Sequence, residues 1–141
     1  MSSRPPFRAD QVGSLLAFPD SLNAPTASPS YIVEGIGYDF IPQVLSREPP
    51  DVDVWIKTSD QDAFTAVRAL FRAEGLLVGG SSGSALSGAL KWLKDTPDGQ
   101  LIARTVGANV VVLLPDGCVL FPSAVPRTAL FIDSPSAFGI T

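Results

Sequence analysis

Glu74-Gly75-Leu76-Leu77-Val78-Gly79-Gly80-Ser81-Ser82-Gly83-Ser84 is the stretch on which the fold turns. An amphipathic segment with Phe64, Val67, Leu70 and Phe71 leads into it, and a second, with Ala85, Leu86, Ala89, Leu90 and Leu93, leads out. A short apolar run therefore ends in a Gly/Ser turn that opens a helix, which points free N–H groups and small hydroxyls at one spot. Such a turn suits a polar or anionic group and forms half of a site. The plainer alternative is a flexible Gly/Ser loop with Ser82 as an ordinary N-cap.

Working outward, Ser59 caps an expected helix from Asp60 to Glu74, with Asp60 and Asp62 in its first turn and Gly75 as the residue that ends it. Leu76 to Val78 reads as a short strand, and a second helix runs from about Ser82 to Lys94. Before Ser59, Val52, Val54 and Ile56 alternate with Asp53, Trp55 and Lys57, the period of a strand. Thr96-Pro97-Asp98-Gly99 carries a turn signal, and the apolar run Val110 to Leu114 suits a strand covered on both faces. Strand, helix, strand, helix, strand is the order of an α/β layer with a mostly parallel sheet. Residues 1–29 are rich in Pro and Ser and read as loop or extended chain, while 117–141 show no clear period.

Composition narrows the chemistry. With 141 residues, 45% of them hydrophobic, the chain can bury a core. A net charge of −4 without a basic patch argues against nucleic acid and anionic membrane surfaces. No run spans a bilayer and no signal segment opens the chain, so a cytoplasmic location is expected. There is no histidine, which removes imidazole ligands and bases, and the single Cys118 allows no internal disulfide. Catalysis would fall to Lys, Asp, Glu, Tyr or a cofactor, and the only lysines are Lys57, Lys91 and Lys94.

Glu34-Gly35-Ile36-Gly37-Tyr38-Asp39 is a second candidate loop, either a backbone wall that lets a ligand come close or a plain turn. The pairs Asp51/Asp53 and Asp60/Asp62 lack partner ligands and suit solvated strand and helix-start roles. Trp55 and Trp92 suit core or interface positions, and Cys118 a small apolar one.

Three blocks together carry a resemblance: Tyr31 to Pro42, Trp55 to Asp60 leading into Ala63-Phe64, and Glu74 to Ser84, followed by Val111-Val112-Leu113-Leu114-Pro115-Asp116. In order and spacing they resemble the cystathionine β-synthase family over about residues 30–116, with Tyr38-Asp39 favouring it over the related cysteine synthase. The resemblance implies part of the type II pyridoxal-phosphate enzyme fold, which is similar to tryptophan synthase β: an incomplete three-layer α/β sheet with helices on both faces. It implies replacement of the serine hydroxyl by the homocysteine thiol, with amino-acid substrates and pyridoxal 5′-phosphate as electron sink. Ser81 would meet the ring nitrogen, beside Gly80; Gly35, Ile36 and Gly37 would wall the cofactor, and Tyr38 would stand at the substrate mouth. Residues 5–16 resemble the start of cobalamin-independent methionine synthase-like proteins, with Gln11 at a position usually held by His.

The departures are as informative. The family's Schiff-base lysine in its Ser-x-Lys-x-Arg context is missing, as are its Gly-Asn-Thr substrate loop and its Gly-Thr-Gly-Gly-Thr phosphate cup. Haem ligation by Cys and His is ruled out by the lack of His. A helix terminus contributes about 0.3–1 kcal/mol at an exposed site, whereas micromolar binding needs roughly 8 kcal/mol. The chain therefore reads as a fragment of a fused, truncated or mispredicted frame, inactive alone. The alternatives are a cysteine synthase-like fragment, a non-catalytic fragment that binds another copy or a full-length homologue, or a chain that exposes open sheet edges and aggregates.

Overall fold

The computed structural model describes residues 7–23, 31–115, 117 and the strand 128–132. Strand β1 (Phe7–Gln11) is followed by a 3-10 turn at Asp20–Leu22 and, much later, by β2 (Val54–Thr58). Helices α1 (Asp60–Glu74), α2 (Gly80–Asp95) and α3 (Pro97–Ala103) come next, then strands β3 (Val110–Leu114) and β4 (Thr128–Ile132).

Local chemistry fixes α1. Ser59 Oγ accepts from the Asp62 N–H at 3.2 Å, and Asp62 Oδ2 accepts from the Ser59 N–H at 3.0 Å, a reciprocal capping box. At the other end Gly75 adopts φ 68°, the left-handed conformation that releases the chain from the helix. Helix α2 begins two residues earlier than its apolar period suggests, with Gly79 as N-cap and no side chain capping it.

Helix α2 is central, packing against α1, α3, β1, β2 and β3. Small residues allow the approach: a Cβ on Gly83 would lie 2.2 Å from Ala63 O and 2.7 Å from Val67 Cγ2, and one on Gly88 would lie 2.9 Å from Ala9 Cβ. Leu70, Leu86, Leu93 and Leu114 form the heart of the core, all at most 2% exposed. Trp55 and Trp92 are buried, as expected, and Phe7 stacks on Trp92 with ring centres 5.6 Å apart.

Several expectations need correction. The strands form two separate pairs, β1–β2 parallel and β3–β4 antiparallel, rather than one continuous sheet among the described residues. The mixed α/β class with a small parallel sheet stands among the described residues. Leu76–Val78 is not a strand, because only Val78 makes a bridge, to Gly117. Thr96–Gly99 is not a free turn but the start of α3: Thr96 Oγ1 accepts from the Gly99 N–H at 3.0 Å, and Pro97 occupies the first helical position. Strand β3 is covered on one face only, since Val111 and Leu113 are each 54% exposed. Cys118 lies outside the described residues.

Two stability outcomes follow from these contacts. Gly83→Ala should cost about 1–3 kcal/mol by overpacking against the Ala63 carbonyl, read as a lower melting temperature. The Ser59 backbone N–H, then its hydroxyl and Lys91, hold the Asp62 carboxyl below its usual value of 3.8 against the opposing pull of burial. A depressed folded-state pKa gives stability that is present above 3.8 and lost as pH falls through the lower folded value. The melting-temperature gap between the unaltered chain and Asp62→Ala should therefore be constant near neutrality and shrink below the carboxylate range.

Candidate functional site

The long connection from β1 to β2 returns across the start of α2 and makes a cleft of about 710 Å³. Glu34 to Tyr38 form one side, Ser81 stands on the other, and Tyr31 and Pro115 complete it. Five of the six residues singled out from sequence, Gly35, Ile36, Gly37, Tyr38 and Ser81, thus meet in one place. Gly80 does not line it. A Cβ there would lie 3.0 Å from Val33 Cγ2, so Gly80 lets the helix start press on the segment that carries the opposite wall.

Each wall is fixed by polar contacts. Asp60, at the start of α1, accepts from the Ile32 N–H at 2.8 Å and the Val33 N–H at 3.1 Å, which ties the entry of the loop to the helix. Gly35 turns the chain with φ 79°, and a Cβ there would meet nothing within 4 Å, so its requirement is conformational. Gly37 is different: a Cβ would lie 3.0 Å from the Cβ atoms of both Gln11 and Ser14. Across the cleft Ser81 is 7% exposed, and among the described residues its Oγ has no hydrogen-bond partner. Ser84, one turn on, is occupied by Gln11 Nε2 at 3.0 Å.

No lysine borders this cleft. Lys57 Nζ is held by Asp10 Oδ2 at 2.6 Å and by the Ser14 and Gln11 carbonyls at 2.8 and 3.2 Å. Lys91 reaches the Lys57 carbonyl and Asp62, and Lys94 is exposed near the far end of α2. The described residues hold no group of three or more His, Cys, Asp or Glu suited to a metal ion, and Asp60 and Asp62 serve as backbone anchors instead. No described helix is long and apolar enough to cross a membrane.

Through Gly35, Ile36, Tyr38 and Pro115 the cleft is continuous with a larger apolar one of about 1020 Å³. This second cleft lies between β1 and β3 and is lined by Phe7, Val112 and the exposed Phe40, Val44, Val111 and Leu113. Sequence reasoning missed Asp10, Gln11 and Ser14, which support the site from behind; their segment has no apolar period, and the contacts that tie them to the site, to Lys57, Ser84 and Tyr38, span 24 to 73 positions.

No protein-family model matches the chain. Among curated proteins it is similar to cystathionine β-synthase of Saccharomyces cerevisiae, 47% identical over 108 residues, which is 77% of this chain and 20% of that protein. Cystathionine β-synthase of Dictyostelium discoideum is 51% identical over 107 residues, 76% of this chain and 19% of that protein. Cysteine synthase of Helicobacter pylori is 37% identical over 84 residues, 60% of this chain and 24% of that protein. The chain is related to cystathionine β-synthase, and it spans about one fifth of the length of these relatives. The 108-residue match is longer than the stretch from 30 to 116, so it reaches into the flanking residues.

Partial burial, then the charges of Asp39 and Asp10, raise the Tyr31 hydroxyl above its usual 10.0. A raised folded-state pKa gives stability that is lost as pH rises from 10.0 through the folded value. Asp39→Asn should bring the Tyr31 ionisation part of the way back towards 10.0, read by ultraviolet titration of the chain's two tyrosines.

Proposed function

We propose that this chain carries the ring-nitrogen half of a pyridoxal-phosphate site of the cystathionine β-synthase or cysteine synthase kind, and that reaction requires groups supplied from outside it. The observation that carries this reading is the meeting of Ser81 with Gly35–Tyr38 in one cleft from which all three lysines are turned away. The Ser81 hydroxyl, which has no partner among the described residues, fits an aromatic nitrogen as a neutral donor, and the two glycines leave a low backbone wall for a flat ring. The other end of the cofactor does not fit: no amine faces the cleft to bind its aldehyde, so no chemical step is assigned to this chain alone. In the complete enzyme the cofactor serves as electron sink while the protein orients the substrate. Serine and homocysteine are the expected substrates, giving cystathionine for cysteine biosynthesis. Tyr38, 39% exposed at the rim, stands where a substrate would enter. A cytoplasmic setting suits such an enzyme.

The test is to mix the purified chain with equimolar pyridoxal phosphate, reduce with borohydride and map the label. The expected result is no stable visible aldimine band and only trace label, chiefly on the exposed Lys94. Stoichiometric label on Lys57 or Lys91 would contradict the reading.

The larger apolar cleft favours a second, compatible role as a binding fragment. Val44 is 97% exposed and Phe40 57%, beside the uncovered face of β3. Surface of this kind seeks a partner, here a further copy of the chain or a full-length relative. A pull-down with the Dictyostelium cystathionine β-synthase should retain the chain, and Val111→Asp should reduce retention at least severalfold; equal retention of both would contradict this role.

A further inference from the structure

We propose that Ser14 is the positioning residue of the cleft, holding the Gly37–Tyr38 wall from the loop that follows β1, with the buried Asp10–Lys57 ion pair anchoring that loop. The functional meaning rests on the cleft being a ligand site, as read above; the geometry stands without it.

Ser14 is 1% exposed, and its hydroxyl has three contacts. It accepts from the Tyr38 N–H at 3.0 Å and from the Leu16 N–H at 3.2 Å, and it donates to the Tyr38 carbonyl at 3.2 Å. One small side chain therefore holds both backbone groups of the residue at the mouth of the cleft. The neighbouring Leu15 N–H also donates to the Tyr38 carbonyl, at 2.9 Å. Gly37 lies so close behind that a Cβ would reach Ser14 Cβ at 3.0 Å, so the wall rests on this loop rather than merely passing it.

The loop itself is held by charge. Asp10 is fully buried; its carboxylate accepts from the Gln11 N–H at 2.9 Å, the Ala17 N–H at 3.1 Å and Lys57 Nζ at 2.6 Å. Lys57 also donates to the Ser14 carbonyl at 2.8 Å, so the ion pair is one residue bond away from the wall it steadies. From the same loop Gln11 reaches Ser84 on α2, the helix that carries Ser81. The segment thereby clamps both sides of the cleft in register, which a site needs if its groups are to meet one ligand at once.

Amide hydrogen exchange on the intact chain tests this without any ligand, so its outcome is separate from that of the pyridoxal-phosphate labelling. In the unaltered chain the Tyr38 and Leu16 amides, sharing one acceptor, should exchange at similar rates and more slowly than the Asp39 amide. In Ser14→Ala, protection at both should fall roughly five- to tenfold, while amides in the middle of α1 are unchanged. Three results would each overturn the proposal: free-amide exchange at Tyr38 in the unaltered chain, unchanged Tyr38 protection in Ser14→Ala, or an equal loss at every amide. If Ser14→Ala does not fold, the comparison of Tyr38, Leu16 and Asp39 in the unaltered chain decides alone.

Discussion

A fully buried carboxylate on β1 and a lysine on β2 meet at 2.6 Å, and the arrangement of the site depends on that pair. Removing either charge alone would leave the other stranded, at a cost of about 3–5 kcal/mol. The pair is tolerable because its remaining valences are filled: Asp10 accepts two backbone N–H groups, and Lys57 donates to two carbonyls. Those backbone groups belong to residues 11–17, so a charge pair between parallel strands also sets the shape of the loop that backs the cleft. The same Lys57 is thereby committed to structure and withdrawn from chemistry.

The second dependence is steric. Helix α2 packs against α1, α3, β1, β2 and β3, and it comes close to α1 and β1 because Gly83 and Gly88 present no side chain there. Its Gly/Ser start is therefore not a flexible loop. Ser82 and Ser84 are fully buried, and Ser84 is hydrogen-bonded to Gln11, leaving Ser81 facing the cleft. The arrangement gives a rigid donor opposite a rigid backbone wall, while the β1–β3 gap beside it remains apolar and open.

What could be read from the sequence was governed by how local its cause is. Helix α1 was legible to the residue because Ser59, Asp62 and Gly75 act within one turn of its ends. Ser81, Gly35, Gly37 and Tyr38 were legible through the resemblance, and they do share a cleft. The start of α3 was not, since Thr-Pro-Asp-Gly opens a turn and a helix with the same residues. The strand Phe7–Gln11 was hidden in a Pro/Ser-rich stretch, because its stability comes from pairing with residues 54–58 and from a charge partner forty-seven positions away. Ser14 and Gln11 were invisible for the same reason, and the uncovered face of β3 looks from sequence like a strand buried on both sides.

The most direct measurement is a nuclear magnetic resonance titration with pyridoxine, which has the cofactor's pyridine ring but neither aldehyde nor phosphate. Weak, saturable shifts confined to Ser81 and Gly35–Tyr38 are expected, and their loss in Ser81→Ala. Shifts scattered over the surface, or identical shifts in Ser81→Ala, would contradict the claim that this chain holds the ring-nitrogen half of the site.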